Sequence, residues 1–302
     1  MMIFGETLAF IQLAKLPFDW IKKQIATDPE TPASRFIALF NAHGVKPSQI
    51  PDFFGHGLSI ADCQSPESLT KVLTSGHIEK AAMLFRVNKD WLDCASEQVY
   101  EPRNFYKNPQ GFEDYFDSLS TNRSMPVRAT LYLPTHNKPF YPDRSGLLMI
   151  SVPIGEVNQR KIYRFELVCY ECAFYWRTRG YLAVNLAYML RKYSVVFGCY
   201  VKPKLLEPIA QGLRLPVYEY AYQDATAVRV QGRCSIEELV SCPATFLKDV
   251  DPERDSFGHR AALDLWLSMA DKMTIRDKPH HTSVVASFDN ARTELLAEKK
   301  GL

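Results

Sequence analysis

The sequence predicts an α+β protein: a run of short helices, then a strand-rich body with a mixed or antiparallel sheet, then a helical tail. Three observations carry this. Residues 33–95 hold five short apolar-periodic segments, most of them punctuated by glycine or proline. From 125 the pattern turns to strand-like runs such as Ser194-Val195-Val196-Phe197-Gly198-Cys199-Tyr200-Val201. From 235 helical spacing returns. The expected division is an N-terminal helix at 1–29, a compact helical domain at 30–96 and a connector at 97–124. A basic α+β domain follows at 125–233, and a helical C-terminal region at 234–302.

The elements follow in order. Residues 3–25 are expected to form an amphipathic helix, with Phe4, Leu8 and Ile11 at helical spacing. Thr27-Asp28-Pro29-Glu30-Thr31-Pro32 is a breaker. The next helix carries Phe36, Ile37, Leu39 and Phe40 and stops at His43-Gly44. A short segment after Pro47 stops at Gly55, and another is expected over 58–63. Ser65-Pro66-Glu67 combines an N-cap serine with proline in the first turn. It opens a helix expected to run over 66–75 with Leu69, Val72 and Leu73 inward. Ile78, Ala81, Ala82 and Phe85 place a helix at 77–85, and Val87, Trp91 and Leu92 close the block. The connector should hold a short helix near 111–119. Strands are expected at 127–133, 147–152, 161–168, 194–201, 215–222 and 226–231. Helices are expected at 173–193, 203–212, 235–241, 259–272 and 284–299.

Composition excludes several classes. With 46% hydrophobic and 23% charged residues the chain is too apolar for a disordered protein, and it lacks the repeat of a collagen or a coiled-coil rod. The net charge of +2 favours no partner by itself, but the charge is uneven. Residues 123–233 hold 16 basic against 7 acidic residues, whereas 34–96 hold 6 of each. The basic stretch would attract phosphates if it lay on one face.

The first residues lack a basic leader and Glu6 interrupts their apolar part, so no export signal, no membrane partner and a cytoplasmic protein are expected. The seven cysteines are then expected to be reduced thiols. Cys169-Tyr-Glu-Cys172 is a C-x-x-C spacing without the second pair that a structural zinc needs, so its role stays open. His280-His281 is expected to be an exposed turn. No phosphate-binding loop, dinucleotide fingerprint, zinc-protease motif or nucleophile elbow is present, and neither a cofactor nor catalysis is expected.

The helical block resembles the lambda-repressor-like helix-turn-helix domain of the XRE family over 34–94. The opening Phe36-Ile37-Ala38-Leu39-Phe40-Asn41-Ala42-His43-Gly44-Val45, Ser48-Gln49-Ile50, the segment Ser65–Leu73, and the ending Phe85-Arg86-Val87-Asn88-Lys89-Asp90-Trp91-Leu92 carry the likeness. The resemblance implies a DNA-binding head in which a recognition helix enters the major groove, commonly as a homodimer. On that reading Ser65, Ser68, Thr70, Lys71 and Thr74 face bases and backbone, while Gln49 and Lys46 contact phosphates. The chain departs from the family at 56–64, where the turn is about six residues too long. Residues 58–63 therefore stay open as an alternative recognition helix, though they are poor in base-reading side chains.

In the body, Arg177 and Arg179 interleave with Phe174, Tyr175, Trp176 and Tyr181, and Lys202 and Lys204 follow Tyr200. Interleaved cations and rings are candidate accessory nucleic-acid contacts. The resulting expectation is a sequence-specific double-stranded DNA-binding transcriptional regulator of bacterial, phage or plasmid type. Its α+β body would dimerise, sense an unidentified small ligand, or add backbone contacts. The alternatives are a protein–protein adaptor in a phage or defence assembly, and an enzyme with its site in the α+β domain.

Overall fold

The computed structural model describes residues 31–119, 127–135, 144–192, 194–216, 231–250 and 258–298. The expected helix at 3–25 and most of the strands at 215–222 and 226–231 lie outside these residues. The α+β class holds, with a five-stranded mixed sheet at its centre.

Thr31 opens the described chain as an N-cap: its Oγ1 accepts from the Ser34 amide, and the Ser34 hydroxyl answers at the Thr31 amide. Helix α1, Pro32–Ala42, buries Phe36, Ile37, Leu39 and Phe40 along one stripe. Gly44 ends it with φ +80°, a backbone state that favours glycine. Short elements follow: a 3-10 turn at Pro47–Gln49, α2 at Ile50–Phe54, α3 at Pro66–Thr70, α4 at Ser75–Phe85 and α5 at Lys89–Leu92. Helix α6, Pro109–Leu119, occupies the connector.

The strands are β1, Arg128–Pro134; β2, Gly146–Val157; β3, Arg160–Tyr170; β4, Val195–Val201; and β5, Gly232–Cys234. Their order is β3-β2-β1-β4-β5, with β1 and β4 parallel and the other pairs antiparallel. The parallel step is made through α7, Trp176–Arg191. Residues 146–150 of β2 are buried on both faces, which explains their unbroken apolar run. At Gly198 of β4 an added Cβ would stand 2.4 Å from the Cys234 carbonyl, so glycine permits the close approach of β5.

Helix α8, Pro203–Ala210, precedes β5, and the tail comprises α9 at Ile236–Ser241, α10 at Pro243–Leu247, α11 at His259–Ser268 and α12 at Lys278–Glu298. His280 and His281 lie inside α12, not in an exposed turn: the Asp277 carboxylate accepts from the His280 amide and starts the helix before them.

Two cores lie on opposite faces of the sheet. One joins Phe40, Phe85 and Trp91 of the helical block to Phe165, Leu167 and Val201 of the sheet and Leu206 of α8. The other packs α6, α7 and the C-terminal helices. The helical block thus shares its core with the sheet. Helices of four or five residues such as α2, α3 and α5 bury too little to stand alone. Among the described residues, no helix is long and apolar enough to cross a membrane.

Candidate nucleic-acid interface

The segment expected to enter a groove is two elements, not one. Helix α3 stops at Thr70, and α4 begins at Ser75. The break has a local cause. The Thr74 hydroxyl accepts from the His77 amide at 3.3 Å, and the Thr74 amide donates to His77 Nδ1 at 3.2 Å. This reciprocal cap makes Thr74 a helix start, so the expected helix over 66–75 is corrected. The helix expected at 58–63 does not form: only a 3-10 turn at Asp62–Gln64 lies there.

Several predicted contact residues serve their own backbone. Ser65 Oγ caps α3 by accepting from the Ser68 amide at 3.2 Å, and the Ser68 hydroxyl lies 3.4 Å from Ser65 Oγ. The Thr70 hydroxyl donates to the Pro66 carbonyl at 2.7 Å. Gln49 Oε1 accepts from the Lys46 amide at 3.0 Å and closes the turn before α2. Thr70, Lys71, Thr74 and Lys46 are exposed, while Leu69 beneath them is fully buried.

Next to this segment lies a cluster that sequence periodicity does not reveal. Because Nδ1 of His77 accepts, its Nε2 carries the proton and donates to the His56 carbonyl at 3.0 Å. Lys80 Nζ donates to His56 Nδ1 at 3.2 Å. Desolvation and the Lys80 charge hold the His56 imidazole below its ordinary range. The loop 55–57 is thereby tied to the first turns of α4. Two glycines, at φ +73° and +83°, allow it to fold back.

From there the exposed stripe of α4 runs through Gly76, Glu79, Lys80 and Met83 to Arg86. Met83 and Arg86 also line a shallow groove with Glu79, Ala82, Val87 and Lys89. At the end of the stripe Arg86 meets the buried Glu166 of β3. Glu166 Oε1 accepts from Arg164 Nε at 3.0 Å and lies 3.9 Å from Arg86 Nε, and Oε2 accepts from the Tyr115 hydroxyl at 2.7 Å. Burial, then Glu166, pushes the Tyr115 phenol above its ordinary range.

The accessory residues of the body do not form one surface. Arg179 is 1% exposed, with its guanidinium over the Phe174 ring and an Nη donating to the Lys248 carbonyl at 3.3 Å. It sits in the first turn of α7 on the face that packs the C-terminal helices, so the expectation of a nucleic-acid contact at Arg179 is corrected. Arg177, two residues earlier, is half-buried over the Trp176 ring at 4.6 Å. Lys202 and Lys204 are exposed at the start of α8.

The cysteines are free thiols, and burial pushes Cys169 up to about 11. Among the described residues no group of three or more His, Cys, Asp or Glu is placed to hold a metal ion. No protein-family profile, no curated protein and no solved structure matches the chain.

Proposed function

We propose that the chain is a double-stranded DNA-binding transcriptional regulator of bacterial, phage or plasmid type, acting as a homodimer through the segment 65–80. The observation that supports this best is the contrast at α3: Leu69 is sealed in the core while Thr70 and Lys71 stand in solvent. A groove-reading element needs that division between an anchored inner stripe and a free outer one. Lys46 and Lys80 flank it with exposed positive charge. The block as a whole is charge-balanced, with 6 basic and 6 acidic residues over 34–96. A two-fold dimer doubles each phosphate contact and offsets that balance.

The test is selection of bound duplexes from a random library, followed by gel shifts on the enriched site. Binding should weaken steeply with salt. Lys71→Ala should cost roughly 1–3 kcal/mol if the lysine reads a base edge. No duplex retained at low salt, or retention unchanged by Lys71→Ala, overturns the assignment.

A second reading, a protein–protein adaptor, draws on Ile60, Val72 and Met83, which are 52%, 38% and 69% exposed in the same block. An apolar contact of that kind would be insensitive to salt.

A further inference from the structure

Three arginines that are far apart in sequence gather around a carboxylate–phenol pair: Arg86 and Arg164 face Glu166, and Arg103 covers Tyr115. Arg86 comes from the end of α4, Arg103 from the connector and Arg164 from β3. The connector is brought there by backbone pairing: the Arg103 amide donates to the Leu167 carbonyl and the Arg103 carbonyl accepts from the Cys169 amide, each at 2.8 Å. Arg103 then stacks on Tyr115, with its guanidinium carbon 4.4 Å from the ring centroid. The Tyr115 hydroxyl in turn donates to Glu166. Glu166 is 6% exposed and Tyr115 half-buried, while Arg86 and Arg103 are exposed. Two guanidiniums thus share one carboxylate, and a third lies on the phenol bonded to it. Lys89, in the adjoining groove, is paired with Asp93, and Glu79 lies two turns away toward the start of α4.

Arg86 carries a second signal. It occupies the left-handed C-cap of α4 at φ 58°, ψ 35°, where glycine or asparagine is the ordinary residue. A long charged side chain held in that conformation is a strained choice, and such strain points to a use for the side chain.

We infer that Arg86, Arg103 and Arg164 form a binding site for a phosphate group, with Glu166 and Tyr115 as the frame that spreads the guanidiniums. Guanidiniums offer paired donors that suit phosphate oxygens. The phosphate comes from one of two sources, a nucleic-acid backbone or a free phosphorylated ligand. For the backbone source the inference rests on the DNA-binding reading, and the structure offers a route. Lys71 lies four residues before α4, and the exposed stripe of that helix leads to Arg86 at its far end, its eleven residues spanning about 16 Å. A duplex whose groove holds α3 would then lay flanking phosphates on the arginines.

The test uses the full chain with Arg86→Gly and Arg103→Gln, singly and together. Glycine takes a positive φ freely, so Arg86→Gly should leave the melting temperature unchanged or raised, which separates lost binding from lost folding. Duplex affinity, measured by anisotropy across a salt series, should fall about tenfold in the double variant, and the salt slope should shrink by about 2. Inorganic pyrophosphate, titrated by calorimetry, reads the free-ligand source. Loss of duplex affinity without pyrophosphate binding assigns the site to the backbone. Pyrophosphate binding that the variants abolish, with duplex affinity unchanged, assigns it to a free ligand. Wild-type protein that binds pyrophosphate through these arginines but retains no duplex keeps the site and removes the DNA reading. Duplex binding that depends on Lys71 but is unchanged in both arginine variants, with no pyrophosphate bound, overturns the site and leaves the regulator reading standing.

Discussion

On one face of the sheet Trp266 of α11 stacks on Phe288 of α12 at 3.7 Å, and its indole donates to the Val240 carbonyl at 3.0 Å. On the other face the helical block meets the sheet through an apolar core in which polar groups are set among the rings. His43 lies between Phe85 and Phe165, at 4.3 and 5.1 Å between centroids. Its Nδ1 donates to the Leu39 carbonyl at 2.8 Å, which leaves Nε2 to face the Tyr100 hydroxyl at 3.4 Å. Arg35, 5% exposed, donates to the Trp91 and Ser96 carbonyls at 2.7 Å each, and Arg160 of β3 donates to the Gly44 carbonyl. The C-terminal cover is thus held mainly by apolar area, which is indifferent to pH and to orientation. The helical cover also shares an apolar core with the sheet, and adds to it directional bonds such as Arg160 to Gly44 and the His43–Tyr100 contact. That join is the more easily broken of the two by pH and by single polar changes.

The largest expected effect is on the apolar side. Trp266→Ala should cost about 3–5 kcal/mol in chemical denaturation, through the cavity it leaves and the loss of the stacked pair. A cost below about 1 kcal/mol would show that the two covers do not differ in this way.

The pH dependence comes next and belongs to the polar side. Burial lowers the His43 pKa from 6.5 to about 4. The folded state therefore holds a neutral imidazole, and the unfolded chain binds the proton more tightly. This contribution to stability is complete above pH 6.5 and is lost as pH falls toward 4. Between pH 7.5 and 4.5 it amounts to roughly 2–3 kcal/mol. Denaturation of wild type and His43→Gln at both pH values should show a pH dependence smaller by about that amount in the variant.

Gly44→Ala should cost about 1–2 kcal/mol, because φ is +80° and the new Cβ would lie 3.3 Å from the Arg160 guanidinium. The same melt carried out on Arg160→Ala should recover the steric part and not the backbone part. Thr74→Ala should cost about 1 kcal/mol as the loss of a helix cap. If stability is unchanged while duplex binding falls, Thr74 is a contact residue rather than a cap, and the break between α3 and α4 loses its explanation.

The elements themselves were largely legible. Phe36, Ile37, Leu39 and Phe40 announced α1, and the apolar runs of β1 to β4 announced the sheet, because those residues are spaced by the period of the element they form. The helix over 66–75 was misplaced because Thr74 and His77 look like two polar residues on a surface. Only their reciprocal hydrogen bonds make a helix start between Val72 and Ile78. Arg179 looked like Arg177, since both follow aromatic residues in one run. A half-turn of helix puts one of them half in solvent and the other in the core. The cation cluster was invisible in one dimension, because Arg86, Arg103 and Arg164 belong to three separate elements.

Sequence alone determined the α+β class, the order of helices and strands, and the stripes that would be buried, since periodicity and caps act over a few residues. The tertiary structure decided that the helical block shares its core with the sheet, that Arg179 is interior, and which cations share a surface. Those outcomes depend on contacts between residues tens of positions apart, which no local spacing encodes.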